Sequence, residues 1–207
     1  MKKILLVFTI LILIFGIYFF LQFKASQEIS SPEKVGDLSE IILENTEFKT
    51  FRYKRFLFKH PDWQEIEIDT LLLWPREISE KQELLLYLSN PDGVKVLVTK
   101  REVETKYIEK PYPLIFREMF TEEQQILEEK GEVTEWDLIT EKFFENGVLI
   151  ESKVVVFGTT NASIQKSIIV TEDNSRFIYS VGITAQEEVF EYYRPLVKSI
   201  LDSIRYY

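Results

Sequence analysis

The only histidine of the chain, His60, is the first candidate for catalytic chemistry. A Ser-His-Asp triad would need this imidazole as its general base, but Pro61 follows it directly and restricts its backbone. No serine of the sequence stands in a Gly-x-Ser-x-Gly elbow. We therefore interpret His60 as a turn residue and predict no catalytic triad.

The composition limits metal and cofactor chemistry. The chain has no cysteine, so it forms neither disulfides nor thiolate sites. Because the chain also has only one histidine, it lacks the set of cysteine and histidine ligands that usually binds zinc. None of its seven glycines belongs to a Gly-x-Gly-x-x-Gly or Walker phosphate loop. The sequence thus predicts no catalytic residue, no cofactor and no metal site, and it identifies no ligand-binding residue.

Acidic residues at two places could still act on a cation or a glycosidic bond. Glu65, Glu67 and Asp69 alternate with other residues, so a strand would place their carboxylates on one face, about 7 Å apart. A straight row does not converge on a cation, and we favour a solvated face. Glu135 beside Trp136 is a conceivable acid for glycoside hydrolysis, which needs a carboxyl group in an apolar pocket.

Basic residues are concentrated in the aromatic segment Phe48 to Lys59, which predicts a strand. The cluster consists of Lys49, Arg52, Lys54, Arg55 and Lys59. It could bind an anionic partner, but we favour the solvated face of a strand. The whole chain carries 34 acidic and 25 basic residues, a net charge of −9. This balance argues against a nucleic-acid partner, since phosphate binding needs a basic face.

An uncharged apolar segment from Ile4 to Phe23 follows Lys2 and Lys3. A helix of about 20 such residues spans the hydrocarbon of a bilayer, and the two lysines favour a cytoplasmic N-terminus. We predict a cytoplasmic stub and transmembrane signal anchor over 1–23, a polar acidic linker over 24–46 and an extracytoplasmic globular domain over 47–207. A cleaved signal peptide is the alternative, but Ala25 is a poor cleavage site.

Turn and helix signals predict the order of elements in the domain. A short helix is predicted from Asp37 to Asn45, and a hairpin around the turn Asn90-Pro91-Asp92-Gly93. A helix is predicted from Pro111 to Lys130, with Gly131 as its cap and a possible break near Phe120. A four-strand antiparallel meander and a C-terminal helix follow, the helix with an apolar stripe from Val189 to Ile204. The strands of the meander are predicted at Glu132 to Phe144, Val148 to Gly158, Ser163 to Thr171 and Arg176 to Thr184.

Two short motifs give this order of elements a family resemblance. The early segment reads Phe58-Lys59-His60-Pro61-Asp62-Trp63, and the last helix closes with Ser199-Ile200-Leu201-Asp202-Ser203-Ile204. Together they resemble the PsbP-like family over about Thr46 to Tyr207, although His60 and Ile204 stand where aromatic residues are common. The resemblance implies an α+β fold, an α/β/α sandwich on one curved antiparallel sheet. It implies no catalytic residues, and the metal-binding positions of photosynthetic members have no counterpart here.

The leading functional hypothesis is a non-enzymatic domain, anchored in the membrane, that binds another envelope protein or a small ligand. It follows from the anchor, the order of elements and the missing catalytic motifs. One alternative is a carboxylate-dependent envelope hydrolase, which requires at least two acids converging in a cleft. The other is a structural subunit of an envelope assembly.

Overall fold

The computed structural model describes residues 43–69, 73–156 and 158–207. The predicted membrane helix, Ile4 to Phe23, lies outside the described residues, and so does the linker up to residue 42. Of the predicted helix Asp37 to Asn45, only residues 43–45 are described, and they are helical. Within the described ranges, no helix is both long enough and apolar enough to cross a membrane.

Ten strands and three helices form the described domain, with a single 3-10 turn at Thr105–Tyr107. The strands are β1 (Phe48–Tyr53), β2 (Phe56–Pro61), β3 (Gln64–Glu65), β4 (Gln82–Ser89), β5 (Lys95–Glu102), β6 (Glu135–Phe144), β7 (Gly147–Val156), β8 (Thr159–Glu172), β9 (Ser175–Gln186) and β10 (Arg205–Tyr206). The helices are α1 (Arg76–Ser79), α2 (Tyr112–Glu129) and α3 (Glu187–Asp202). The predicted hairpin, the meander and both long helices are confirmed, with ends shifted by a few residues.

The strands divide between two antiparallel sheets, which corrects the prediction of one curved sheet. The larger sheet has the order β3-β4-β5-β9-β8-β7-β6, and the smaller has the order β1-β2-β10. The division arises because the segment Phe48 to Lys59 is a hairpin and not the single strand that we predicted. Lys54 turns the chain with a φ of 51°, and β2 then pairs with β10 at the C-terminus.

Each face of the seven-stranded sheet is covered by one long helix. Along β9, Tyr179, Val181 and Ile183 belong to the main core, which α3 completes with its apolar stripe. Ile178 lies on the opposite face, where it joins a second cluster built on α2. Burial of both faces therefore produces the layered helix-sheet-helix arrangement that the resemblance implied.

The two motifs that carry the family resemblance lie against each other in the fold. The backbone N–H of Lys59 donates to Ser203 Oγ over 2.8 Å, and Ser203 Oγ in turn donates to the carbonyl oxygen of Ile200 over 2.6 Å. Trp63 packs edge-on against Tyr193 of α3, with ring centroids 6.0 Å apart. The early strand and the last helix thus form one structural unit.

Helix α2 runs through Phe120 without a break and ends in a Schellman motif. The N–H of Gly131 donates to Glu128 O and the N–H of Glu132 to Leu127 O, both over 3.0 Å. Gly131 has a φ of 71°, in the region where a side chain is disfavoured. The predicted glycine cap is therefore confirmed, and it directs the chain back towards the sheet at β6.

Candidate functional site: a groove between helix α2 and the sheet

His60 lies buried in β2, which corrects its assignment to a turn. Its side chain is 8% exposed, and Nδ1 donates to the carbonyl oxygen of Pro61 over 2.8 Å. The ring packs near Phe58, with centroids 5.7 Å apart. The alternating burial of β2 places Phe56, Phe58 and His60 on its inner side. The imidazole is therefore one of the buried side chains on the inner side of β2.

The predicted acidic candidates are exposed and do not form a site. Glu65 is the last residue of the two-residue strand β3, while Glu67 and Asp69 follow outside any strand, which corrects the predicted row of three. No group of three or more histidine, aspartate or glutamate side chains in the described ranges is placed to hold a metal ion. Glu135 is exposed at the start of β6, whereas its neighbour Trp136 is half-buried.

Three of the five residues in the basic cluster contact other parts of the domain. Lys49 pairs with Asp62 over 2.5 Å, and Lys54 pairs with Glu172 over 3.0 Å. The guanidinium of Arg55 lies 5.4 Å from the ring centre of Tyr206 in β10. These contacts tie the first hairpin to the rest of the domain, and two of them neutralise the charges of Lys49 and Lys54.

A groove of about 690 Å³ lies between α2 and the larger sheet. The N-terminal half of α2 packs tightly on the sheet through Ile115, Phe116 and Met119, which are at most 5% exposed. Phe116 and Met119 also border the groove, and further along the helix Glu123 and Leu127 line it. The groove is therefore the part of this sheet face that α2 does not cover.

The floor of the groove is a polar stripe across the central strands. Ser163, Gln165 and Ser167 of β8 lie opposite Thr184, Gly182 and Ser180 of β9, and all six line the groove. In a strand, residues two apart share a face. The register of the β8–β9 hairpin therefore places all six residues on the same face of the sheet. 

Two hydroxyl groups join the strands at the deep end of the stripe. The Oγ atoms of Ser167 and Ser180 lie 2.7 Å apart, and both residues are buried. Gln165 Nε2 donates to Ser167 Oγ over 2.9 Å. These bonds satisfy the deepest polar groups and orient the amide of Gln165 along the floor.

Gly182 leaves an open depression in the middle of the floor. A Cβ atom at this position would meet only Gln165 Oε1, at 3.9 Å, and its backbone is an ordinary strand. An isolated glycine in a strand weakens it and often marks a place where another molecule approaches closely. Here the glycine gives the groove its depth.

Aromatic and aliphatic side chains form the walls. Phe120 of α2 meets Trp136 of β6 edge-on, with ring centroids 5.0 Å apart. Trp74, Leu127 and Val133 extend the apolar lining. The groove consequently offers apolar walls above a polar floor.

The charged residues of the groove are engaged with one another. Arg101, only 6% exposed, donates through Nη1 to Glu123 and through Nη2 to Glu104, the latter over 2.9 Å. Lys81 also donates to Glu104, over 3.0 Å. Burial would raise the pKa of Glu104, but the bonds from Lys81 and Arg101 lower it to about 2. For Glu123, burial outweighs the attraction of Arg101 and raises the pKa.

Two buried nitrogen atoms of the lining residues have no hydrogen-bond partner among the described residues. They are Nε of Arg101 and Nε1 of Trp136. Buried polar groups are normally paired, and an unpaired one needs an explanation such as a water molecule or a ligand. Both groups are donors, so an acceptor from a water molecule or from a bound molecule would satisfy them.

Sequence reasoning missed this site because its residues look ordinary. Ser163, Gln165 and Ser167 alternate with Ala162 and Ile164, which is the pattern of any sheet with one solvated face. Gly182, in the middle of an apolar strand, was the one local signal. Which helix lies over that face depends on contacts distant in the sequence.

Comparison with known proteins supports the fold and not an activity. The sequence matches no protein-family model and no curated protein. Cyanobacterial PsbP from Synechocystis sp. PCC 6803 is similar in structure, with a TM-score of 0.53 at 12% identity, over 78% of this chain and 94% of that chain.

Two further solved structures match with lower scores. The Ran-binding protein Mog1p of Saccharomyces cerevisiae has a TM-score of 0.48 at 13% identity, over 78% of this chain and 96% of its own. LpqN of Mycobacterium tuberculosis, which is involved in cell envelope biogenesis, has a TM-score of 0.41 at 7% identity, over 77% of this chain and 90% of its own. The similarity to cyanobacterial PsbP confirms the resemblance predicted from the two sequence motifs: the described domain has the fold of the PsbP-like family.

Proposed function

We propose that this chain is a non-enzymatic binding or accessory domain whose groove between α2 and the sheet holds a small ligand. The observation that carries the proposal is the groove itself. Its volume of about 690 Å³ falls within the range of small-molecule sites, about 300–1,000 Å³. Apolar walls with a few convergent polar groups are the usual composition of such sites.

The chemistry of the lining supports binding over catalysis. Glu123 is engaged by Arg101, and the lining contains no histidine. Glu135, the acid that the hydrolase alternative would use, is exposed and does not line the groove. The groove therefore has donors and acceptors for holding a molecule but no nucleophile with an adjacent base.

We further propose that Ile4 to Phe23 anchor the domain on the outer side of a membrane, with the N-terminus in the cytoplasm. The support is the uncharged apolar segment behind Lys2 and Lys3. The partners would then be the lipid bilayer and, through the domain, a ligand or another envelope protein.

The binding proposal is tested by ligand-observed NMR on the full-length chain in detergent, with a fixed library of small neutral fragments. We expect a subset of fragments to bind the wild type and to lose binding in Gly182→Leu. The new side chain enters open space above the floor, since a Cβ there meets nothing closer than 3.9 Å. Circular dichroism would verify that the variant folds.

The matched control is Thr171→Leu, which adds a leucine at an exposed position of β8 outside the groove. This variant should keep the fragment binding of the wild type. Equal binding by Gly182→Leu would show that the fragments bind elsewhere and would remove the groove from the proposal. An absence of any bound fragment would do the same.

The anchoring proposal is tested by alkaline extraction of membranes and by protease added to the outer side. The wild type should stay in the membrane pellet and lose its domain to the protease. Leu11→Arg with Leu13→Arg should release the chain, because charge at the centre of a span costs about 2.5–3.5 kcal/mol per residue. Ser30→Arg with Ser31→Arg adds the same charge to the linker and should not. A domain that resists outer protease would contradict the topology.

A further inference from the structure

The charges that line the groove cancel. They are Lys95, Arg101, Glu123 and Glu132, in a chain whose net charge is −9. Arg101 is already bonded to two carboxylates, so an anionic ligand would find no free guanidinium fork. A cationic ligand would have to compete with Arg101 for Glu123. Lys95 and Glu132 carry the two remaining charges of the lining, and these are opposite in sign. The lining therefore fits an uncharged ligand better than either ion.

The floor selects for a ligand rich in groups that both donate and accept hydrogen bonds. Ser163 and Thr184 carry hydroxyls, and Gln165 and Asn161 carry amides. Thr184 already donates its hydroxyl hydrogen within the domain, and each amide donates once there, so the oxygen atoms and the second N–H of each amide remain for a ligand. A hydrocarbon chain on this floor would remove water from these groups without replacing its hydrogen bonds. A hydroxylated ligand would supply hydrogen bonds in place of that water.

The walls require the same ligand to have an apolar side. Trp136 and Phe120 meet edge-on at one wall, and Trp74 contributes a second indole to the lining. Large aromatic side chains bind flat apolar surfaces with little loss of conformational entropy. The unpaired Nε1 of Trp136 adds a donor beside this apolar wall.

A sugar ring combines these properties, because its hydroxyls project around the rim and its C–H groups form apolar faces. A linear chain of a few rings could place successive hydroxyls over the polar floor while its faces contact the walls. The open space above Gly182 gives such a ring room to approach the backbone of β9. The volume of about 690 Å³ suits a few sugar rings rather than a single small ion.

We propose that the groove between α2 and the sheet binds a short uncharged oligosaccharide, with the Ser163–Gln165–Thr184 floor bonding its hydroxyls and Trp136 packing on a ring. This inference rests on the proposed function, since it names the ligand of the same site. It distinguishes saccharides from charged ligands and acyl chains, which would use other lining chemistry.

The test uses the full-length chain in a zwitterionic detergent without a sugar headgroup, because a glycosidic detergent would compete for the site. An array of uncharged oligosaccharides, with their uronic-acid counterparts, selects the probes, and calorimetric titration measures the dissociation constants. We expect neutral tri- to pentasaccharides to bind with dissociation constants below about 1 mM. Their uronic counterparts should bind at least about tenfold more weakly, since the guanidinium of Arg101 is already bonded to two carboxylates and Glu132 offsets the charge of Lys95.

Three variants locate the binding. Gly182→Leu should abolish it, and Trp136→Phe, which keeps an aromatic ring but removes the N–H donor, should weaken it several-fold. Trp63→Phe is the matched control, because Trp63 packs against Tyr193 of α3 on the opposite side of the sheet and does not line the groove. That control should bind as the wild type does.

The outcomes separate the saccharide inference from the proposed function. If no neutral oligosaccharide binds while dodecanoate or a uronic oligosaccharide binds in a manner sensitive to Gly182→Leu, the ligand class is wrong and the groove remains a binding site. If a saccharide binds Gly182→Leu as tightly as the wild type, the groove is not its site. Cleavage of a bound saccharide that is lost in Glu123→Gln would replace binding by hydrolysis as the function.

Discussion

Replacing Arg101 by methionine should destabilise the domain more than any exposed arginine substitution. Arg101 is 6% exposed and holds the carboxylates of Glu123 and Glu104 together. Methionine keeps most of the side-chain volume but leaves the partly buried carboxyl group of Glu123 without its partner. Glu104 retains Lys81, at 3.0 Å.

The magnitude follows from the burial of the three groups. Breaking a buried ion pair by removing one partner costs about 3–5 kcal/mol. The side chains of Glu123 and Glu104 are each 32% exposed, so water hydrates part of the released charge and we expect a loss of about 3 kcal/mol. In urea this lowers the midpoint by roughly 1.5 M, taking an m-value of about 2 kcal/mol/M. The melting temperature should fall by roughly 6–12 °C.

Urea titration monitored by circular dichroism measures the loss of unfolding free energy in Arg101→Met, and two further variants serve as comparisons. Arg117→Met removes an arginine that is 61% exposed and makes a bidentate ion pair with Glu141. This variant should lose no more than about 1 kcal/mol of unfolding free energy. Adding Glu123→Leu to Arg101→Met should recover much of the loss, because the unpaired charge disappears. Equal losses for Arg101→Met and Arg117→Met, within about 0.5 kcal/mol, would refute the reasoning.

Three smaller predictions concern single contacts. Gly131→Ala should cost about 1 kcal/mol in a urea titration because of its φ of 71°, whereas Gly182→Ala, in an ordinary strand, should cost nothing. Ser203→Ala should lose about 1 kcal/mol, since the N–H of Lys59 loses its acceptor; a loss below about 0.3 kcal/mol would contradict this. The pKa of Glu104 is lowered from 4.5 to about 2, so its stabilisation is complete above pH 4.5 and is lost as the pH falls towards 2. Unfolding measured between pH 6 and 2.5 should therefore depend less steeply on pH in Glu104→Gln than in the wild type.

Elements with strong local signals were predictable from the sequence. Asn90-Pro91-Asp92-Gly93 encodes its turn in four residues, with Gly93 at a φ of 84° and Asn90 Oδ1 accepting the N–H of Val94 over 2.8 Å. Gly131 marks the end of α2 for the same reason. The apolar residues of α3 recur at helical spacing and lie on one face, which identifies both the helix and the side that it buries. In each case the residues that decide the structure are neighbours in the chain.

Elements that depend on distant contacts were not predictable in this way. The turn at Lys54-Arg55 has neither glycine nor asparagine, and Lys54 takes a positive φ without a turn signal. Its hairpin is held instead by the pairing of β2 with β10 and by the ion pair of Lys54 with Glu172, 118 residues away. His60 is buried for the same reason, because β2 packs its inner side against the core.

The polar floor costs stability, and removing it should make the domain more stable. Ser163 and Gly182 occupy central strands, where β-branched side chains are favoured and glycine is weakening. Ser163→Val with Gly182→Val should raise the free energy of unfolding by roughly 1 kcal/mol, while abolishing oligosaccharide binding. Thr171→Val, at an exposed position of β8, should change stability by less than about 0.5 kcal/mol and leave binding intact.

A loss of stability in the double variant would mean that the polar stripe stabilises the fold itself and is not a sign of a binding site. A gain in stability with intact binding would place the ligand elsewhere. Stability gained at the expense of binding is the pattern of a functional site, where a local rule of strand composition is broken for a reason outside the fold. In the groove, serine and glycine replace the β-branched residues that central strands favour, and an open space lies beside them. Because both features occur at the same place in the described domain, we connect the polar floor to ligand binding.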